Sequence, residues 1–392
     1  MVPLLDHPTV TGGVLFHDAV MYSPERLTLE VIQAARRNGV LTGNYLSFET
    51  ARHAAGRPTN CRLRDVITGD VAHLQARWVI NAAGARAGEV AGRIIGRKAL
   101  APLAYSIALN LVTGEPASGP AFTVSGGAPD PDRIGGSGSR QLLVLPWRGQ
   151  RLYGTGHFPF RGDPTTATLP EEAVEGFVRE FASATPGLPL ALADVRAVQW
   201  GLLPVTGSAD EAHVRLLKHH RIIDHAADGV PGALSVVSVK FTTARHVAAE
   251  TVDRITGRRI ARDGVPRLLL PGTPAGDVTS TIASARARFG TLLPDDVVEH
   301  LVRAYGARYE DVIAIAARVE SGVERVEAGA PVIRAQFLYA AIHELGRTAD
   351  DLVWRRTELG ARGLATDGAR RHAARCLETA GQDGGGAITR VP

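Results

Sequence analysis

Lysine is almost missing from this chain. It occurs only at Lys98, Lys218 and Lys240, so a small net charge of +4 rests almost wholly on arginine. No basic run is interleaved with aromatics, which removes the electrostatic footprint of a nucleic-acid binder. Cysteine is scarce too. Cys61 and Cys376 stand far apart with no CxxC, which excludes a structural metal site of cysteines and fits reduced thiols. No metal site of another kind is read from the sequence. No apolar run approaches the roughly 20 residues that cross a bilayer. The opening MVPLLDHPTV has neither a basic n-region nor a long apolar stretch, so no signal peptide is read and a cytoplasmic location is expected. No GxGxxG opens a helix after a strand; the glycines of RIGGSGSR, Arg133 to Arg140, precede no helical pattern and read as a loop.

What is present describes a globular protein. The 392 residues can bury a full core and make two domains the natural expectation. The hydrophobic fraction is 45% and the charged fraction 21%, values of an ordinary soluble fold.

Along the chain, Ser23-Pro24 followed by ERLTLEVIQAARRNG predicts a capped helix closing at Gly39. VLTGNYLSFET reads as a strand. CRLRDVITGDVAHLQARWVINAAG reads as a hairpin turning at Thr68-Gly69-Asp70, then a strand ending at Asn81, then a helix near Ala85 to Ile95. Residues 101–160 are short strands between Gly/Pro/Asp loops, the mark of a mostly antiparallel sheet. PEEAVEGFVREFASAT is an amphipathic helix with Val174, Phe177, Val178 and Phe181 along one side. Strands return up to GALSVVSV, and VKFTTARHVAAETVDRITG runs from strand to helix, with Thr242 or Thr243 able to cap and Gly257 to close it. DGVPRLLLPGTPAG looks like a linker, and from about Thr279 the pattern is helical to near Ala380. The tail GQDGGGAITRVP is expected to be disordered.

Four stretches carry chemistry. VINAAG could pass a dinucleotide at a strand edge, although an ordinary strand-to-helix turn has the same pattern. QLLVLPWRGQRLYGTGHFPFRGDP ends two strands in Gly154-Thr155-Gly156-His157, where glycines allow close approach and His157 could move protons or hold an anion; a plain Gly-rich hairpin with an exposed His has the same look. WGLLPVTG alone is a strand leaving for a loop. SVVSVKFTTARHVAAE delivers Lys240, Thr242 and Thr243 to a helix start, whose N–H groups and positive dipole end favour an anionic group. A capped helix beside a solvated Lys is the plainer alternative.

Taken together and in order, these stretches resemble the FAD-dependent glycerol-3-phosphate dehydrogenases, within the D-amino-acid-oxidase-like flavoproteins. DVITGDVAHLQARWVINAAG is similar to the hairpin ending in a "vNAtGpW" pattern. VLPWRGQRLYGTGHFPFRGDP looks like "iPW…iGTTD…y.GDP", WGLLPV like "W.GlRPL", and LSVVSVKFTTAR like "lsv.GGKlTTyR". AAIHELGRTADDLVWRRTELG is similar to the helical "E.a.tl.D.l.RRt.lg" pattern, and the likeness runs from about Gly13 to Cys376.

The resemblance implies a mixed α/β (α+β) fold. Residues 1–100 with 231–258 would form a partial FAD-binding α/β domain, 101–230 an antiparallel-sheet substrate domain, 259–278 a linker, 279–380 an all-α domain and 381–392 the tail. It implies FAD as cofactor, a small anionic substrate such as glycerol 3-phosphate, and electrons passed to a quinone, with peripheral association at the inner face of the membrane. Asn81, Ala82, Ala83, Gly84 and Ser238 would line the cofactor, joined by Lys240, Thr242 and Thr243, and Lys240 and His157 would be catalytic. Lys218 and Arg221 would hold substrate, and His219 and His220 could join them and His157 in an anion site.

Three departures stand against the pattern. The N-terminal phosphate-cradling segment is not in the sequence, so an upstream reading frame or a separate partner chain is expected to supply it. The arginine of "GlRP" is Leu203 here, and a second such arginine falls near Lys218, which lacks a guanidinium's fork. "GTTD" has become Gly154-Thr155-Gly156-His157, and the two glycines of "GGK" are Ser238 and Val239. Two rivals to the enzyme reading stay open: a non-catalytic remnant or partner subunit, and a flavoprotein acting on another hydroxy or amino acid.

Overall fold

The computed structural model describes residues 12–96, 104–114, 119–129, 138–185, 187–188, 190–206, 215–259 and 269–383. It divides into two compact units, one built from Tyr45–Val265 and one joining Gly13–Asn44 to Pro266–Pro392. The expected tail beyond residue 383 and most of the RIGGSGSR loop lie outside the described residues.

Helix α1, Pro24–Arg37, begins as its sequence dictates. The Ser23 side chain accepts from Arg26 N, Pro24 takes the first position, and the chain leaves through Gly39 at φ +84. Sequence order places this helix with the first domain, but it groups with the C-terminal helices. The reason is a buried polar partner. Both Arg26 terminal nitrogens donate to the Glu344 carboxylate at 2.7 Å, and its guanidinium lies 4.1 Å over the Tyr305 ring. Burial opposes the charge on Arg26, yet Glu344 outweighs it and raises the guanidinium pKa.

In the sheet-bearing unit, β1 (Leu46–Ala54), β2 (Arg57–Asp65) and β3 (Val71–Gln75) form an antiparallel meander. The turn between β2 and β3 falls where the sequence predicts it: Asp65 Oδ1 accepts from Ile67 N and Thr68 N, and Gly69 takes φ +82. Strand β4, Val79–Asn81, leads through a 3-10 turn, Gly84–Arg86, into α2, Ala87–Ile95.

A six-stranded antiparallel sheet follows. It is built of β5 (Tyr105–Thr113), β6 (Phe122–Pro129), β7 (Ser139–Trp147), β8 (Gln150–Phe160), β9 (Val195–Thr206) and β10 (Arg215–Leu216), in the order β10-β9-β5-β8-β7-β6. Helix α3, Glu171–Ala184, covers one face. Its Val174, Phe177, Val178 and Phe181 pack on Ile107, Leu109, Leu111 and Tyr153, the predicted apolar stripe. Phe177 and Phe181 are wholly buried, with ring centroids 5.1 Å apart at 79°. Each such ring contributes about 1.5–3 kcal/mol by leaving water. Alternation along β5 then turns Ser106 and Ala108 to the opposite face.

A third sheet joins β11 (Arg221–Asp224), β12 (Ala233–Val237) and β4, in the order β11-β12-β4, and α4 (Ala244–Thr256) follows β12. Helix α4 closes on Gly257 at φ +64, as expected.

The helical unit adds α5 (Val278–Phe289), α6 (Asp295–Tyr305), α7 (Tyr309–Arg318), α8 (Arg334–His343) and α9 (Asp367–Asp383). Two apolar clusters hold it, one around Leu301, Val312 and Tyr339 and one around Leu352, Val353 and Ala369. ADDLVWRRTELG is not a regular helix: Asp351–Arg356 is a π-helical turn in which Thr357 N donates to Leu352 O at 3.1 Å. Helix α9 extends three residues past Ala380.

Candidate active site

Strands β4 and β12 run parallel, with Val79 beside Ala233, Ile80 beside Leu234 and Asn81 beside Ser235. Ligands of α/β sheets gather at the carboxyl ends of parallel strands. Here both strands end alike, in a 3-10 turn that enters a helix: Gly84–Arg86 into α2, and Phe241–Thr243 into α4. Ala82, Ala83, Gly84, Ser238, Lys240 and Thr242 are all exposed at these ends. Gly84 takes φ +57, and a Cβ added there would meet nothing within 4 Å. The backbone beside it is bare and the space open.

Asn81 does not face that opening. It is 3% exposed, and its amide works inside the protein. Its Nδ2 donates to Ala87 O at 2.8 Å and to Ser235 Oγ at 2.9 Å, and its Oδ1 accepts from Ala83 N at 3.2 Å. It therefore ties the end of β4 to the start of α2 and to β12. Ser235 Oγ lies 2.8 Å from His225 Nε2, and His225 Nδ1 lies 2.8 Å from Asp228 Oδ2. The order Asp228-His225-Ser235 is that of a hydrolase triad, but both His225 and Ser235 are fully buried. With the serine oxygen bonded to Asn81, the group is a structural brace. His225 and Asp228 share one 3-10 turn and Ser235 follows on β12, whereas Asn81 joins them from 154 positions before Ser235.

At the second strand end the helix entry differs from expectation. Neither Thr242 nor Thr243 caps α4; Thr243 Oγ1 turns back and donates to Lys240 O at 3.0 Å, because a 3-10 turn intervenes before the first α-helical residue. Val239 packs with Ala87, Leu217 and Val237, so its side chain points into a small core while its neighbours Ser238 and Lys240 stay exposed.

The remaining candidates divide. Arg221 opens β11 directly across from Val237, which brings it to the same carboxyl end, and it is exposed. Lys218 and His219 are exposed in the connection before it. His220 is paired by its Nε2 to Glu250 Oε2, so it faces a carboxylate and does not join an anion site. His157 belongs to the six-stranded sheet, paired with Ala108, which in turn pairs with Gly201. These residues, with Leu203 opposite Ser106, occupy the face away from α3. The Tyr105 hydroxyl donates to Ala85 O at 2.9 Å, fastening that sheet to the turn after β4. Burial pushes the Tyr105 hydroxyl pKa up, so it keeps the proton it donates. At the same turn Arg86 grips Glu89, and that hydrogen bond holds the Glu89 carboxyl below its ordinary range.

The family profile described as FAD dependent oxidoreductase matches residues 1–254, and that of the C-terminal domain of alpha-glycerophosphate oxidase matches residues 266–383. A glycerol-3-phosphate dehydrogenase of Synechocystis is 26% identical over 362 residues, covering 89% of this chain and 64% of that protein. Glycerol-3-phosphate dehydrogenase 1 of Mycobacterium bovis is 30% identical over 368 residues, 92% of this chain and 65% of its own length. Against the human mitochondrial glycerol-3-phosphate dehydrogenase the chain spans 49% of the relative's length, at 25% identity. The chain thus spans about half to two thirds of these relatives. The solved glycerol-3-phosphate dehydrogenase of Bacillus halodurans complexed with FAD shares the fold, with a TM-score of 0.67 over 94% of this chain and 74% of that one, at 20% identity. Among the described residues, no helix is long and apolar enough to cross a membrane.

Proposed function

The chain belongs to the family of FAD dependent oxidoreductases, and on that premise we propose that it binds FAD at the carboxyl ends of β4 and β12 and oxidises glycerol 3-phosphate or a related small anionic alcohol. The observation that carries this reading is the pair of parallel strand ends, each entering a helix, with small exposed residues on one side and Lys240 on the other. Such a donor set fits a planar group that gains negative charge. Its backbone is accessible at Ala82 to Gly84, Gly84 carries no side chain, and a cation stands beside a helix amino end.

FAD, when bound, accepts the two electrons and one proton that leave the substrate carbon. The chain's own residues supply the setting. Ala82, Ala83, Gly84 and Ser238 line the cofactor, with Asn81 bracing the turn from within. Lys240, with the N–H groups of the turn at Thr242 and Thr243, stabilises negative charge as it develops. His157, on the sheet face away from α3, takes the hydroxyl proton. Arg221 and Lys218 attract the substrate anion. Electrons then pass to a quinone, from a peripheral position on the membrane.

Leu203 favours a second reading, oxidation of a different hydroxy or amino acid. It puts an apolar side chain on the sheet face where the resemblance calls for a phosphate-binding arginine.

The test is to purify the protein, read its flavin absorbance, and assay glycerol 3-phosphate and other small hydroxy and amino acids with an artificial electron acceptor. The same measurement is repeated with any upstream reading frame restored. Flavin bound and turnover lost on Lys240→Ala is the expected result. No flavin in either form, even after reconstitution, would sink the proposal.

A further inference from the structure

Among the described residues, one cluster of metal-ligating side chains uses none of the residues assigned to that site. His246 and Glu250 are four residues apart on α4, so they stand on one helix face. His220, from the connection that enters β11, reaches that face: its Nε2 pairs with Glu250 Oε2. Glu250 Oε1 lies 3.6 Å from His246 Nε2, and the two imidazole rings sit 5.6 Å apart at 80°. One ligand atom from each of the three residues falls within 4.8 Å of the others.

We propose that His220, His246 and Glu250 bind a divalent cation of the zinc class. The argument is one of donor type and reach. Two imidazole nitrogens and one carboxylate form the set that zinc accepts with a fourth position left open, at about 2.0–2.2 Å from each donor. Donors at that range around a tetrahedral ion stand about 3.3–3.5 Å from one another, so the 3.6 Å between His246 and Glu250 already fits. His220 is held in place by Glu250, whereas the His246 and Glu250 side chains are 47% and 40% exposed. An ion would displace the proton shared by His220 Nε2 and Glu250 Oε2, and rotation of the exposed Glu250 and His246 side chains would open that pair to ligand spacing. A hydrogen-bonded His220–Glu250 pair would need no second imidazole; the ring of His246 over the same carboxylate is what turns the pair into a ligand set. Imidazole donors exclude calcium and magnesium as preferred occupants, since both take oxygen. The cation would clamp the entry of β11 to α4, one turn beyond Thr243, and so stiffen the helix that follows Lys240. The sequence hides this site because His220 and Glu250 stand 30 positions apart.

The experiment uses untagged protein stripped with a chelator, then titrated with Zn²⁺ by calorimetry and with Co²⁺ by its visible absorption. One equivalent should bind, Co²⁺ should give the intense bands of a four-coordinate site, and Zn²⁺ should raise the melting temperature. His246→Ala and Glu250→Gln should each weaken binding at least about tenfold, the loss typical of damaging a metal shell. Circular dichroism checks that both variants fold, and Glu250→Gln keeps the side chain's shape if His246→Ala does not. His73→Ala, far along the chain on β3, should bind like the parent. Absence of saturable binding, or equal binding by both site variants, would overturn the proposal, the latter by assigning the metal to other histidines.

Discussion

The buried pair of Arg26 and Glu344 offers the most quantitative test of the helical unit. Glu344 is wholly buried, Arg26 is 6% exposed, and three guanidinium hydrogen bonds are made, two to the carboxylate and one from Nε to Ala304 O at 3.1 Å. In Arg26→Met the stem volume is kept and the charge removed, which strands the Glu344 carboxylate. Stranding one member of a buried pair costs about 3–5 kcal/mol. Arg308 Nη2 remains 3.9 Å from Glu344 Oε1 and supplies part of the missing compensation, so the lower figure of about 3 kcal/mol applies. That is roughly a 150-fold larger opening equilibrium. Two units make a single unfolding midpoint ambiguous. The assay is therefore hydrogen exchange followed on peptides of α1 and α8, where protection should fall about 150-fold. Arg26→Met with Glu344→Met removes both charges and should return to within about 1 kcal/mol of the parent. If the single variant exchanges at nearly the parental rate, the pair does not hold the helices. If the double variant is as weak as the single, the contact of Arg26 with Tyr305 and Ala304 carries the energy instead.

Two glycines with positive φ should respond differently to alanine. Gly84→Ala meets no atom within 4 Å and should cost only the left-handed backbone penalty, about 1–2 kcal/mol, read from chemical denaturation. Gly306→Ala would bring a Cβ to 1.7 Å from Gly272 O, so the helical unit should fail to fold, seen as lost helical circular dichroism; a folded variant would refute the packing described. Burial pushes the Cys376 thiol up to about 11 and also raises Cys61. Neutral thiols do not attack alkylating agents, so iodoacetamide at pH 8 should label neither in native protein and both in denaturant. The same shift sets a sign. A raised folded pKa means that the contribution of Cys376 is whole below its unfolded value near 9 and disappears as pH climbs towards about 11, measurable as falling stability in alkali. Asn81→Ala removes three hydrogen bonds at the end of β4 and should cost about 1–3 kcal/mol, with weaker flavin retention; unchanged stability would remove the brace.

Much here was legible from local pattern alone. Ser23-Pro24 and Gly39 bound α1, Asp65 and Gly69 shape the β2–β3 turn, and the apolar spacing of α3 selects the face that meets the sheet. These features depend on neighbours within one turn of chain, so hydrogen-bond caps and periodicity record them. The order of motifs from VINAAG to KFTTAR likewise pointed to the family that the profiles match. Tertiary structure alone decided the rest. It laid Asn81 against Ser235, 154 positions away, and turned its amide inward as a brace instead of towards a ligand. It took α1 from its sequence neighbours by way of Glu344, 318 positions away. It set Glu250 against His220, which removed that histidine from an anion site and created a ligand set with His246. Each of these is a buried or half-buried polar group choosing its partner, and a polar side chain out of water takes whichever partner the fold delivers.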